Sequence, residues 1–299
     1  MRLFACVRMD MREGFLESRK RLFLVVLVSL VIIGFALLGV EAARMGMEGE
    51  STVSAFSLGE TLTACFGGIR EFDRERDLFF QFPAAWILML ASIAYVTLSY
   101  PYRDLMGFGR SVLIASGSRR DWWVAKCAWV VASALLCCLL VMGSCALMTL
   151  VGGGALGLTV GRDAFGALLH FPPDGEAPLD IATFVMVLPC VVASLCLMQM
   201  ALSLVAGPVL SFGATMALLL WSAYFFNPAL LGNYLMVART GVAVSNGVDP
   251  CVGLALARGT GLVSVLLGDC TSRVWIAWTR RFHYERQASK ACACRCHPW

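Results

Sequence analysis

The chain has 299 residues, of which 59% are apolar and only 15% are charged, and its mean hydropathy is +0.76. Soluble domains carry about 25% charged residues, so this composition excludes an ordinary soluble protein and predicts an integral membrane protein. The net charge of +4 is small. Lysine and arginine gather in separate blocks, which is typical of membrane loops and disfavours a nucleic-acid-binding face.

The first 21 residues interleave basic and apolar side chains, as an amphipathic helix on the inner membrane surface does. The uncharged run 22–40 follows, and its length is close to the roughly 20 residues that cross the hydrocarbon. We therefore predict an amphipathic cytoplasmic helix over 1–21 that turns into a first span over 22–40. A signal peptide is the alternative, disfavoured because the basic region and the apolar run are both too long.

The next loops alternate in charge. Residues 41–77 are acidic and predict an outer loop, since inner loops are enriched in lysine and arginine. A second span is predicted over 78–100, stopped by Pro101. The loop 101–126 has a basic excess and is predicted to be cytoplasmic. Its apolar residues recur at helical spacing up to Gly117, which predicts a short amphipathic helix.

The rest of the chain predicts four more spans. These cover 127–151, 181–205, 209–226 and 250–278. An acidic outer loop occupies 152–180, and the turn 206–208 is so short that the spans on either side must be antiparallel neighbours. The stretch 227–249 is too apolar for a free loop and too broken by Asn, Pro and Gly for a span. It predicts a re-entrant segment, or a surface-lying pair of short helices, at the outer face.

The tail, 279–299, is basic and predicted to be cytoplasmic. Six spans with both termini inside place the basic blocks on one side of the membrane and the acidic loops on the other. The predicted fold class is therefore all-α, a single polytopic transmembrane domain of six helices.

Three polar residues in the predicted spans are candidate pathway residues: Gln199, Arg258 and Asp269. A hydrogen bond to a neighbouring helix is the alternative for Gln199. Arg258 would lie about 12 Å along the last span. An ionisable group at that depth is a functional candidate, with snorkelling to the outer interface as the alternative. Asp269 could instead pair with Arg273, four residues later.

Thirteen cysteines lie mostly within predicted spans, where cysteine acts as a small apolar residue. We expect only Cys65 and Cys251 to meet an oxidising exterior, and a bridge between them is one hypothesis. The ending C-x-C-x-C-H, residues 292–297, has the composition of a thiolate metal site, but its spacing differs from that of structural zinc sites. Reversible acylation or an unstructured tail is the alternative there, and no metal site is predicted.

Motifs of soluble and membrane enzymes do not occur in the sequence. There is no phosphate-binding loop, nucleophile elbow or zinc-protease motif, and the three histidines are scattered. The chain is therefore predicted to be neither an enzyme nor a cofactor-binding protein. If it moves a solute against a gradient, the energy must come from a partner subunit or from an ion.

The whole arrangement resembles the membrane subunit of a type-2 ATP-binding-cassette transporter. The resemblance covers nearly the full chain and is carried by loose motifs. They are the amphipathic N-terminal helix, the inner loop GRSVLIASGSRRDWWVAK (109–126), the turn 206–208, the segment LGNYLMVAR (231–239) and the basic close RRFHYER (280–286). The charged residues of the last span and the cysteine-rich tail depart from the family pattern.

In that family the loop between the second and third spans carries a coupling helix that docks on a separate ATPase subunit, and the outer re-entrant segment caps the permeation path. The resemblance implies that eight residues lie at or near this partner contact. They are Gly109, Arg110, Ser116, Gly117, Arg119, Arg120, Asp121 and Lys126.

The resemblance also implies two permease subunits, identical or different, above two ATPase chains that hold ATP and Mg²⁺. The expected location is a plasma membrane of the bacterial type, and the expected direction of transport is export. An ion-coupled secondary transporter is the first alternative. A membrane-anchored binding or immunity protein without transport activity is the second. The sequence does not predict the cargo.

Overall fold

The structure is a computed structural model that describes residues 2–45, 56–72, 79–98, 100–106, 119–175 and 177–271. These residues are mostly helical, and five of the helices are long and apolar enough to cross a membrane. This agrees with the predicted class of an all-α, multi-pass membrane protein.

The described elements follow one another along the chain. They are α1 (Arg2–Met45), α2 (Leu58–Phe66), α3 (Ala84–Thr97), α4 (Tyr100–Met106), α5 (Arg119–Val151), β1 (Thr159–Val160), α6 (Arg162–Leu169), β2 (Leu179–Asp180), α7 (Ala182–Ala206), α8 (Pro208–Tyr224), the 3-10 helices Leu231–Leu235 and Val237–Arg239, and α9 (Pro250–Thr271). The five candidate spans are α1, the segment from α3 into α4, α5, α7 and α9, whereas α8 is a shorter apolar helix.

Helix α1 differs from the predicted turn between a surface helix and a span, because its 44 residues form one helix. At 1.5 Å per residue it is about 66 Å long, roughly twice the thickness of the hydrocarbon. One stripe of buried positions continues past residue 21. It comprises Asp10, Gly14, Ser18, Val25, Ser29 and Ile33. This stripe packs against the rest of the protein both before and after residue 21. The packing therefore stabilises one continuous helix through the position of the expected turn.

Helix α5 packs against α1, α2, α3 and α7 and is the most central element of the described bundle. It begins at Arg119, eight residues before the predicted span, and its 33 residues extend about 50 Å. Helices α7 and α8 are antiparallel neighbours joined at Gly207, as predicted. Gly207 has a φ of +81°, a conformation that favours glycine.

The predicted second span corresponds to two described helices, with residue 99 between them outside the described residues. Helix α3 ends at Thr97 and α4 begins at Tyr100, so Pro101 lies in the first turn of a new helix instead of stopping an old one. Proline is tolerated there because the first backbone N–H groups of a helix have no partner within the helix.

Helix α9 contacts the other helices through small residues. Gly253 lies against the ring of Tyr234, and Gly261 approaches Leu197 of α7. The hydroxyl groups of Ser194 and Thr260 are 2.5 Å apart and join α7 to α9. The absence of bulky side chains on this face allows the close approach.

The predicted outer loop 41–77 contains α2, which is almost entirely buried. The Ser57 backbone N–H donates to the Glu60 carboxylate at 2.9 Å, and the Glu60 N–H donates to the Ser57 hydroxyl at 3.2 Å. This capping box begins the helix. Glu60 also accepts a bond from the backbone N–H of Gly161, just before α6. We call α2, the β1–β2 pair and α6 the outer cap, after the outer loops that the sequence predicts for these residues.

The segment 231–240 is wholly buried and contains both 3-10 helices. A pair of short helices was one form of the prediction here, but they are packed inside the protein and do not lie on its surface. The following turn is held by Asp174, whose N–H donates to the Ala243 carbonyl and whose carboxylate accepts from the Ser245 N–H at 2.8 Å. This turn therefore lies at the end of the bundle where α7 begins.

Candidate functional site

A cluster of buried charges lies where α1, α4 and α5 meet. The Lys126 ammonium is 2.6 Å from the Asp10 carboxylate and 2.7 Å from the Asp104 carboxylate. The Lys126 side chain is completely buried, Asp10 is 3% exposed and Asp104 is 18% exposed. We call these three residues, with Tyr100 and Trp122, the charge junction.

Two aromatic residues complete the charge junction. The Tyr100 hydroxyl donates to Asp10 at 3.1 Å, and the Trp122 indole N–H donates to Asp104 at 3.1 Å. The Lys126 ammonium also lies 4.5 Å from the centre of the Tyr100 ring and 5.6 Å from that of the Trp122 ring. Each ring thus contacts the cation and also donates to one of its carboxylate partners.

Helical spacing brings these residues together, because each helix contributes a pair one turn apart. The pairs are Asp10 with Gly14 on α1, Tyr100 with Asp104 on α4, and Trp122 with Lys126 on α5. Gly14 allows α1 to approach α5, since a Cβ atom there would clash with the Trp129 indole. The Trp129 ring in turn packs against Tyr100, with 4.5 Å between ring centres.

Three further charged side chains on α1 and α4 form ion pairs close to the charge junction. Arg103 on α4 pairs with Glu17 on α1 at 2.7 Å, and Arg21 lies 3.8 Å from the same carboxylate. Such exposed pairs contribute little free energy. The buried Lys126 is different, because a buried ammonium without a partner carries a desolvation penalty of several kcal/mol. Its two carboxylate partners are therefore required for Lys126 to lie there.

Residues of the charge junction lie at both ends of the predicted coupling loop. Asp104 lies two residues before the end of α4, and Trp122 and Lys126 lie in the first turns of α5. Residues 107–118 between them are outside the described residues. The two described ends of the loop are therefore joined to each other and to α1 by charged hydrogen bonds.

The predicted partner-contact residues differ in their exposure, and four of them lie outside the described residues. Gly109, Arg110, Ser116 and Gly117 lie outside the described residues. Arg119 begins α5, the Arg120 side chain is exposed and Asp121 is half-buried. The Lys126 ammonium is enclosed by residues of its own chain and is not on the surface.

Sequence reasoning missed Asp10, Tyr100, Asp104 and Trp122 as site residues. Asp10 is 116 positions from Lys126, so no local pattern connects the two. One signal was present: Asp10 and Gly14 fall on the same helical stripe as the apolar positions of the span that follows. An acid on such a stripe predicts a buried cationic partner.

The three candidate pathway residues do not share one environment. Gln199 is buried in α7, and its amide donates to the Ala94 carbonyl of α3 at 3.0 Å. A hydrogen bond to a neighbouring helix was the predicted alternative to a pathway role for Gln199, and this bond is of that kind. Arg258 is exposed on α9 and Asp269 is half-buried, while Arg273, the predicted partner of Asp269, lies outside the described residues.

The hypothesis of a bridge between Cys65 and Cys251 is not supported by the structure. Cys65 is buried in α2, whereas Cys251 is exposed at the start of α9, so the two thiols lie in different surroundings. The cysteines of the tail lie outside the described residues. Within the described part of the chain, no group of three or more side chains is arranged to hold a metal ion.

A second buried cation lies at the opposite end of the bundle. Arg239, the last residue of the LGNYLMVAR segment, is 1% exposed. Its guanidinium donates to the carbonyl groups of Ser222, Ala223 and Phe225 at the end of α8, and to the Asn233 side chain. Burial lowers the pKa of Arg239 to about 10, so the side chain stays protonated at neutral pH.

Arg239 therefore anchors the buried segment. A cation at the C-terminus of a helix satisfies carbonyl groups that have no partner within the helix, and it complements the helix dipole. The Arg239 Nε–H also donates to the Ile69 carbonyl at 3.0 Å. On the other side of the segment, the Trp86 indole of α3 donates to the Leu235 carbonyl at 2.6 Å.

A crevice of about 1600 Å³ opens beside the outer cap. Its walls come from the second half of α1, the start of α3, and helices α2 and α6. Most of the side chains that line it are Ala, Gly, Leu or Phe, and Arg162 and His170, at the two ends of α6, also contribute to it. The crevice is larger than the roughly 300–1,000 Å³ of most small-molecule sites, and its walls are mainly apolar.

Comparison with protein-family models, with curated proteins and with solved structures finds no match to this chain. The functional interpretation therefore depends on the residues described above.

Proposed function

We propose that this chain is the permease subunit of a type-2 ATP-binding-cassette transporter and works with a separate ATPase subunit. The single observation that carries the proposal is the charge junction. It joins both ends of a basic loop to two membrane helices, α1 and α5, through the buried Lys126. A soluble partner that binds the loop could thereby move both helices.

In this proposal six helices cross the membrane and both termini are cytoplasmic. The sixth is α8, whose 17 residues extend about 26 Å. Its first residue follows the end of α7, and its last turn is bound by Arg239 near the end where α7 begins. Helix α8 thus returns along about 26 Å of the roughly 38 Å of α7, which supports a crossing despite its short length.

The residues divide into two roles. Arg119 and Arg120 would contact the ATPase, together with the loop residues Gly109 to Gly117, because a basic surface suits a soluble partner with acidic groups. Lys126 would act behind that surface and pass the displacement to α1 and α5. ATP and Mg²⁺ would be held by the partner. Two permease subunits, in a plasma membrane of the bacterial type, would enclose the pathway.

Co-purification tests the proposal. Charge reversal of Arg119 and Arg120 to Glu should release an ATPase chain that otherwise purifies with this protein. The matched control is reversal of Arg8 and Arg12 to Glu, two exposed basic residues on α1. This control should keep the ATPase bound. Transport that persists in cells without any such ATPase would contradict the proposal and favour an ion-coupled transporter.

A further inference from the structure

Helix α2 of the outer cap lies antiparallel to the last turns of α5. The N–H groups of Leu58 and Gly59 donate to the carbonyl groups of Ala155 and Gly157, at 3.0 and 2.9 Å, so α2 begins beside the residues that follow α5. The Thr61 hydroxyl of α2 is 3.1 Å from the Thr149 hydroxyl of α5. These bonds fix the register between the two helices.

One turn farther along this register, two cysteines face each other. Cys65 follows Thr61 by four residues on α2, and Cys145 precedes Thr149 by four residues on α5, so the antiparallel helices bring them together. Both side chains are completely buried, and in the structure both are free thiols. Because the Thr61 and Thr149 hydroxyl groups are 3.1 Å apart, the equal steps of four residues place the two thiols beside each other.

The position of Cys145 along α5 indicates the side of the membrane on which the two cysteines lie. Cys145 follows Lys126 by about 19 residues, or roughly 28 Å along a helix, which is close to the ~30 Å of the hydrocarbon. With Lys126 at the inner boundary, as the proposed function requires, Cys145 and the outer cap lie at the outer boundary. Disulfides form and persist on that side of a plasma membrane.

We propose that Cys65 and Cys145 form a disulfide that fastens the outer cap to α5. The oxidant is a protein disulfide of an external thiol oxidoreductase. The Cys65 thiolate attacks that disulfide and forms a mixed disulfide, and the Cys145 thiolate then displaces the oxidoreductase. The oxidoreductase leaves as a dithiol with the two electrons, and its thiolates take up the two protons that the cysteines release.

The exchange takes place before α2 settles against α5. Once the cap is closed, the hydrogen bond to Cys145 and burial raise the pKa of Cys65, so few thiolates are available to react. In the folded protein the finished bond is shielded from reductants for the same reason, because the outer cap covers it.

Mass spectrometry of the wild-type protein tests the disulfide. The full chain is made in cells with an oxidising exterior, denatured, alkylated without reductant and digested. We expect the peptide that contains Cys65 to be joined to the one that contains Cys145, and reductant to separate them with a gain of two hydrogen atoms. Full alkylation of both cysteines before reduction would overturn the proposal.

Two variants test whether the linked peptides are joined through Cys145. Cys145→Ser should remove the linked species, whereas Cys138→Ser, on the same helix but two turns away, should leave it unchanged. The wild-type measurement decides the question even if a variant fails to fold. Reduced cysteines in a protein that still binds its ATPase would overturn the disulfide alone. Linked cysteines in a protein that binds no ATPase would overturn the proposed function alone.

Discussion

Lys126 shows how far the role of a residue depends on its partners. It follows a basic loop and two tryptophans, a position typical of a surface residue at the membrane boundary. In the structure its ammonium is enclosed by Asp10 and Asp104, on two other helices. A buried cation held by two carboxylates specifies how three helices fit together, whether or not it adds net free energy of folding.

Removal of the Lys126 charge should strongly destabilise the protein. Lys126→Met leaves the buried Asp10 and the partly buried Asp104 without their cation, and the expected loss is about 3–5 kcal/mol in the free energy of unfolding. Asp104→Asn should cost less, since Asp104 is 18% exposed. Denaturant unfolding in detergent micelles measures both. The control Lys20→Met removes an exposed charge on α1, and an equal loss for both lysine variants would contradict the burial argument.

Arg239 should tolerate even a charge-conserving change poorly. Arg239→Lys keeps the positive charge but replaces five N–H donors with three on a single atom. Carbonyl groups at the end of α8 would then lack a donor, at about 1–3 kcal/mol for each buried group left unpaired. Thermal unfolding should detect the loss. Arg258→Lys, on the exposed face of α9, should change the thermal stability very little. Equal losses of stability in the two variants would contradict the anchoring role of Arg239.

At the scale of elements, α1 is stabilised along its length by contacts that hydropathy does not report. Its first half is basic and its second half is apolar, yet one buried stripe runs through both. The charge junction and the Trp129 contact bind the first half to α5 before the apolar half begins. The amphipathic segment is therefore part of the helical bundle, and a surface helix that turns into the membrane is not what forms.

Two glycines on α1 give a matched test of this packing. Alanine favours a helix over glycine by about 1 kcal/mol at either position. A Cβ atom at Gly14 would clash with the Trp129 indole, whereas one at Gly34 meets nothing within 4 Å. Gly14→Ala should therefore destabilise the protein by about 1–3 kcal/mol, and Gly34→Ala should not. Thermal unfolding of the two variants compares them, and the reverse order would contradict the α1–α5 contact.

The sequence predicts these helices better than it predicts the site. Apolar runs locate the spans because the bilayer sets their length, and the 206–208 turn fixes α7 beside α8. The charge junction could not be predicted, since Asp10, Asp104 and Lys126 are far apart in the chain and look like three surface charges. The burial of α2 was missed for a similar reason, because Glu60 resembles a solvated acid until Ser57 and Gly161 bind it.

For the whole molecule, the number of crossings decides the side on which each loop lies. Among the described residues, length and composition identify five candidate spans, and an odd number of crossings would place the two termini on opposite sides. If α8 also crosses, there are six crossings and both termini lie on the same side. The contacts of Asp174 with Ala243 and Ser245 hold the chain after α8 beside the loop before α7, which favours a complete return across the bilayer.

Reporter tags at four glycines test the resulting topology. Gly175 and Gly241 are exposed with open space around them, and tags at both should lie outside the cell. Tags at Gly109 and Gly207 should lie inside, because an odd number of crossings separates each of them from the outer sites. If tags at Gly207 and Gly241 are found on the same face of the membrane, α8 does not cross. The basic tail would then lie outside, against the rule that places lysine and arginine in the cytoplasm.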